Sequence, residues 1–378
     1  MIFIRTDANE TIATGHVMRC ATIAHELIKL GDNVTFLVSD EISAKLVREM
    51  EFDCIVLNSD WQNPQNHAEL ADMKKLLAKV TEQNKEKPKL LVDSYMIKAE
   101  YTQGLADYAV IAVIDDLFEE EFKADIIINY TLYHTRFDYE GRYSGKAKLL
   151  LGGKYVPLRQ QFSAQTIDRS NELCDVNKCE TENKDKTKVL IICGGGDKYN
   201  AMGSILESFV NQLNPVNEQN IANSYGFDNQ VSFEEFEFYV VAGMYNPNKP
   251  QLYEFAQMHD NIHICENVTN MAELMSGCDI AVSAASTVLY ECCAMQLPTV
   301  FFCVADNQQY DKECFTKNDV MLYAGDIRLD KAECIKNIIN SLNLLKNDCE
   351  RRKSMIKEMS KLIDTKGAER LAYEIANF

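Results

Sequence analysis

The sequence predicts an α/β chain of two facing Rossmann-type domains with parallel sheets, and it places the functional site in the cleft where strand carboxyl ends meet. Three observations predict this. Short apolar runs alternate with amphipathic helical stretches along most of the chain; the alternation lapses after Phe162 and restarts at Val189; and each half opens with a strand that runs straight into a loop and a helix. A length of 378 residues accommodates two domains of ordinary size.

The runs Ile2–Arg5, Val34–Val38, Cys54–Leu57, Leu90–Val92 and Val110–Ile114 read as strands buried on both faces, because they are apolar rather than alternating. Between the first two, Val17, Ala21, Ala24, Leu27 and Ile28 recur at helical spacing over Val17–Leu30, and Gly31 supplies a C-cap. Residues 1–162 thus form the first domain, and residues 163–188, polar and mixed in charge, read as a linker. The second domain, 189–350, opens with a strand at Val189–Cys193 and a helix to about Leu213. Strands follow at Glu237–Ala242, Ile262–Ile264, Asp279–Ser283 and Thr299–Cys303, with helices at Met271–Met275 and Thr287–Met295. The stretch Asn214–Val231 reads as a loop insertion, and a last helix over 351–378 is expected to pack back on the first domain.

Composition narrows the function. Asp and Glu outnumber Lys and Arg by 57 to 39, a net charge of −18 that repels nucleic-acid backbones and anionic lipid. A phosphate site must therefore be local, built from backbone N–H groups at helix N-termini. No run approaches 18 apolar residues and the first residues lack a basic-then-apolar leader, so neither membrane insertion nor a signal peptide is expected. The 13 cysteines form no C-x-x-C pair and read as free thiols of a cytoplasmic protein. His25, His67, His134, His259 and His263 show no metal-ligand spacing, so no metal or cofactor is expected.

Three loops carry candidate chemistry. In the first, Gly15 turns the backbone into a helix whose first turn holds His16; a helix N-terminus disfavours an imidazolium, which suits a general base. Arg19 lies one turn on, placed to steady an anionic group or to keep His16 uncharged. The plainer reading is a capping His and a solvated Arg. In the second, Gly194, Gly195 and Gly196 follow a strand and open a helix, which lets a diphosphate approach backbone N–H groups, although glycines also make ordinary tight turns. In the third, Ser286 or Thr287 caps a helix and Glu291 sits one turn in, suited to ribose hydroxyls, with Asn307 and Gln308 after the next strand. Capping and solvated loops are the plainer alternatives there. Asp93 and Asp115 end apolar strands and suit sugar hydroxyls or an Arg partner, while Asp116 reads more as a helix cap.

These residues together resemble a known family. Ile4-Arg5-Thr6-Asp7 followed by Gly15-His16-Val17-Met18-Arg19-Cys20 is similar to the N-terminal signature of the UDP-2,4-diacetamido-2,4,6-trideoxy-β-L-altropyranose hydrolases of pseudaminic acid synthesis. Asp93-Ser94-Tyr95, Val113-Ile114-Asp115-Asp116-Leu117 and the stretch Leu151–Arg159 with Phe162 extend the likeness, and Ser283–Gln308 also resembles the MurG-type glycosyltransferases. The resemblance implies a GT-B fold and metal-independent hydrolysis of a UDP-sugar with inversion. His16 would be the base, and Tyr95 and Asp93 would line the sugar site. From the residues themselves, Tyr95 and Arg19 are placed with His16 as catalytic, and Asp7, Gly15, Asp93, Asp115, Asn307 and Gln308 as substrate-binding. The UDP would meet Gly194, Gly195, Gly196, Ile264, Ser286, Thr287 and Glu291. The chain departs from the family where Ala13 and Ala285 replace common glycines. Two alternatives stand beside hydrolysis: a UDP-sugar glycosyltransferase of the MurG type, and a non-catalytic nucleotide-sugar-binding protein.

Overall fold

The computed structural model describes all residues except Glu10, Ala13, 165–185, Gly195 and 214–231. The linker and the insertion expected from sequence lie almost wholly outside the described residues. The chain divides into two units, residues 1–160 with 365–378, and residues 161–364.

The first unit is built on seven strands: β1 (Ile2–Thr6), β2 (Val34–Val38), β3 (Asp53–Val56), β4 (Lys89–Asp93), β5 (Val110–Ile114), β6 (Ile126–Asn129) and β7 (Lys148–Leu151). They lie in the order β3-β2-β1-β4-β5-β6-β7, every pair parallel. The interior strands β1 and β2 are buried at every position, whereas the edge strand β3 alternates between exposed and half-buried. That contrast explains why interior strands read as apolar runs: helices cover both faces of a parallel sheet. β6 and β7 were not expected from sequence. Their runs are four residues long and close to polar, aromatic segments, which hides the strand signal.

Strand order reverses between β1 and β4, so loops leaving their carboxyl ends diverge to opposite faces and open a crevice. The helix after β1 runs Gly15–Lys29, two residues earlier than its apolar periodicity suggests, and so holds His16 inside its first turn.

The second unit holds β8 (Thr187–Ile192), β9 (Phe236–Val241), β10 (Ile262–Cys265), β11 (Ile280–Ala284), β12 (Thr299–Cys303) and β13 (Leu322–Asp326), in the order β10-β9-β8-β11-β12-β13 and again parallel. Its reversal falls between β8 and β11, the two strands that precede the glycine loop and Ser286.

The expected last helix is two helices. Cys349–Leu362 stays with the second unit, and Gly367–Ala376 belongs to the first, packed on the helix Gly15–Lys29. Ile363, in extended conformation, ends the earlier helix, and periodicity alone does not mark this short break. The first unit accordingly combines residues 1–160 with 365–378, and the second runs to Asp364. Gly367 lets the final helix close on the chain: a Cβ there would lie 2.6 Å from the Val156 nitrogen and closer still to its carbonyl oxygen. Lys148 then pairs with Glu374 at 2.5 Å, and Arg370 donates to the Lys154 carbonyl at 2.8 Å.

Gly367→Ala is expected to destabilise the protein by about 1–3 kcal/mol through forced backbone displacement, read as a lowered melting temperature. Gly15→Ala, whose Cβ would meet nothing within 4 Å, should leave the melting temperature nearly unchanged.

Candidate active site

At the reversal of the first sheet, side chains from three strand ends and one helix converge. Asp93 closes β4 and is 1% exposed. A carboxylate taken so far from water needs cationic partners. Arg19 supplies them from the neighbouring helix: its Nε donates to Asp93 Oδ2 at 2.5 Å and its Nη2 to Oδ1. Arg19 Nη1 reaches the Tyr130 hydroxyl at 2.6 Å and Asp116 Oδ2 at 3.1 Å. His16, one turn earlier, brings Nδ1 to 2.7 Å from Asp93 Oδ1, and Cys20 Sγ donates to Oδ2 at 3.4 Å. The Tyr95 hydroxyl donates to Asp116 Oδ2 at 3.2 Å, and its ring meets His16 edge-on at 4.6 Å between centroids.

Burial works to raise the Asp93 carboxyl, but Arg19 and His16 outweigh it and hold the group below the usual carboxylate range. Burial, then the Asp116 charge, pushes the Tyr95 hydroxyl well up, which keeps it a donor. Arg19 spans two carboxylates, so the cluster carries an excess of negative charge beside a His that is 8% exposed.

Several expected roles change. Asp7 is expected to line the substrate, yet Arg5 Nη1 at 2.5 Å and the Ser39 backbone and hydroxyl, each at 2.7 Å, occupy its carboxylate. It anchors the loop before His16 instead. Arg19 is expected to steady an anion, but Asp93, Asp116 and Tyr130 take its guanidinium. Asp115 and Asp116 exchange the roles read from sequence. Asp115 Oδ1 accepts from the Phe118 N–H at 2.8 Å and shapes the turn, while Asp116 joins the His16 cluster. Tyr130 went unmarked; its only signal is a Tyr directly after an apolar strand. Gly15 is the exposed first residue of its helix.

In the second unit, Ser286 is extended, at φ −163°, and its Oγ accepts from the Val288 N–H at 3.3 Å. Thr287 begins the helix Thr287–Ala294 and Glu291 lies half-buried one turn on. The glycine loop behaves differently. Gly194 takes φ 74°, and Cβ atoms at Gly194 or Gly196 would meet nothing within 4 Å, but Asp197 caps the following helix itself. Its carboxylate accepts from Ala201 N–H at 2.7 Å and Met202 N–H at 3.1 Å, and burial, opposed by these bonds, raises it to about 6. An internal carboxylate therefore holds two N–H groups at the start of this helix; Gly195 itself lies outside the described residues. Ile264 is half-buried on the edge strand β10. Gln308 Oε1 accepts from the Val304 N–H at 2.7 Å, so it braces its own turn, and the Asn307 side chain lies outside the described residues. Among the described residues, no group of three or more His, Cys, Asp or Glu is arranged to hold a metal ion, and no helix is long and apolar enough to cross a membrane.

Comparison with known proteins shows what the chain is similar to. Over 311 residues the chain is 22% identical to the UDP-2,4-diacetamido-2,4,6-trideoxy-β-L-altropyranose hydrolase of Campylobacter jejuni, covering 82% of this chain and 93% of that one. The family resemblance holds. An uncharacterized protein of Methanocaldococcus jannaschii is 23% identical over 329 residues, 83% of this chain, and the chain spans 57% of that relative's length. Residues 203–371 match the Glycosyltransferase family 28 C-terminal domain. The solved MurG of Acinetobacter baumannii superposes with a TM-score of 0.62 over 100% of this chain and 99% of its own at 11% identity, which shows a shared GT-B fold.

Asp115 provides a test of the electrostatics. Burial, partly offset by the Phe118 N–H and reinforced by Asp116, raises it to about 6, from an ordinary value of 3.8. The unfolded chain releases this proton first, so the wild type should lose stability as pH rises from about 4 to 6. Asp115→Asn keeps the Phe118 acceptor and lacks this loss. Its stability relative to wild type should therefore climb across that window and level off above it, as measured by urea unfolding against pH.

Proposed function

We propose that the protein is an enzyme that hydrolyses a UDP-sugar to UDP and the free sugar. His16 takes a proton from water as the water oxygen bonds to the anomeric carbon. The bond from that carbon to the UDP oxygen breaks, its electrons leave with UDP, and the configuration inverts. The observation that carries this reading is His16, set in the first turn of a helix at the sheet's reversal and held against a buried carboxylate.

UDP leaves as a stable anion, so the chemistry needs a positioned base and a place for the diphosphate, not a strong acid. For the diphosphate, the N-terminus of the helix beginning at Thr287 is the better candidate, since Asp197 already fills the other junction. Glu291 would take the ribose hydroxyls and the edge near Ile264 the uracil. Tyr95, beside His16 and bonded to Asp116, would line the sugar. The relationship to the Campylobacter hydrolase supports a 2,4-diacetamido-2,4,6-trideoxy sugar as substrate. The match to a glycosyltransferase domain supports a second reading, transfer of the sugar to an acceptor hydroxyl.

UDP release from UDP-2,4-diacetamido-2,4,6-trideoxy-β-L-altropyranose, with EDTA and no acceptor, separates the readings. Hydrolysis predicts free sugar and UDP from the wild type and a rate about 10²–10⁴-fold lower in His16→Asn, the span of a lost general base. UDP binding without turnover would instead direct attention to acceptors. For the nucleotide half, Glu291→Ala is expected to weaken UDP binding about tenfold by calorimetry, the equivalent of about 1.4 kcal/mol. It should leave unfolding cooperativity intact.

A further inference from the structure

We propose that Asp93 is a positioning residue that holds His16 in the Nδ1–H tautomer, making Nε2 the atom that receives the proton; the catalytic half of this statement rests on the hydrolase reading.

The argument begins with Asp93 Oδ1, which lies 2.7 Å from His16 Nδ1 in a site shielded from water. Were Nδ1 unprotonated, two lone pairs would face each other at that distance. With Nδ1–H present, the contact is a charge-assisted hydrogen bond. Arg19 Nη2 also lies 3.0 Å from Nδ1, but the longer contact and the competing Asp93 oxygen leave the carboxylate as the partner that decides the tautomer. Arg19 acts on Asp93 instead, keeping it ionised and therefore an acceptor. The edge-on Tyr95 ring, 84° from the imidazole plane, fixes the remaining rotation. Nε2, at the far end of the ring, keeps its lone pair. As in other histidine–carboxylate pairs, Asp93 would stabilise the imidazolium without taking the proton itself.

The same bonds exclude another use of Asp93. His16, Arg19 through two nitrogens, and Cys20 bring four donors to a carboxylate with about four acceptor positions, so none remains for a sugar hydroxyl. The expectation that Asp93 lines the sugar gives way to one in which it acts through His16.

Two measurements test this. Imidazole ¹⁵N resonances of the wild-type protein, with His16 assigned by its disappearance in His16→Asn, should show protonated Nδ1 and unprotonated Nε2 in the neutral ring; the reverse pattern overturns the proposal. Asp93→Asn, which keeps the shape and removes the charge, should lower kcat about 10²–10⁴-fold while KM and UDP affinity stay within about threefold. A kcat close to wild type also overturns it. The resonance pattern is read on the wild type, so it stands if Asp93→Asn does not fold or if the reaction proves not to be hydrolysis.

Discussion

The buried ion pair between Arg19 and Asp93 organises the first unit's site. A carboxylate at the end of an interior strand has no water to solvate it, and Arg19 satisfies it with two nitrogens while reaching on to Asp116 and Tyr130. The strand ends of β4, β5 and β6 are thereby tied to one helix, and His16 on that helix comes to rest on Asp93. Removing either partner would strand a charge in a dry interior, which costs far more than an intact surface pair contributes.

A second buried network supports the first. Arg5 joins Asp7 to Glu69, whose carboxylate also accepts from the Tyr101 hydroxyl at 2.9 Å. Asp7 in turn holds Ser39 at the end of β2. The loop between β1 and His16 leaves from this anchored point, so its geometry is set before the helix begins. Two polar networks, one structural and one at the site, follow one another along a single connection.

The second unit manages its helix N-termini in two different ways. Asp197 places a carboxylate on one, and Ser286 places a neutral hydroxyl on the other. Both satisfy backbone donors, but only the neutral cap leaves the positive end of its helix without a fixed anion. The difference separates two junctions that look equivalent as sequences of small residues after a strand.

Much of the fold was legible because burial on both faces imposes continuous apolar runs, and β1, β2, β5 and β12 sit where those runs fall. The strands β6 and β7 escaped because each is only four residues long and lies beside polar, aromatic segments. His16, Arg19 and Asp93 were legible as strand-end and first-turn residues, since chain order alone puts them near the sheet's carboxyl edge. Which groups then bond was not. Asp115 and Asp116 are neighbours in sequence, yet one shapes a turn and the other meets Arg19, a choice made by the direction each side chain takes as β5 ends. Asp7 looks like a ligand group until its bonds to Arg5 and Ser39 are seen, and the glycine loop looks open until Asp197 is seen to hold the Ala201 and Met202 N–H groups. Sequence by itself determined the alternation of elements and the residue types delivered to each strand end, because both follow from local periodicity. Tertiary structure decided the pairing, because a carboxylate's role depends on which donors, distant in the chain, reach it first in the folded interior.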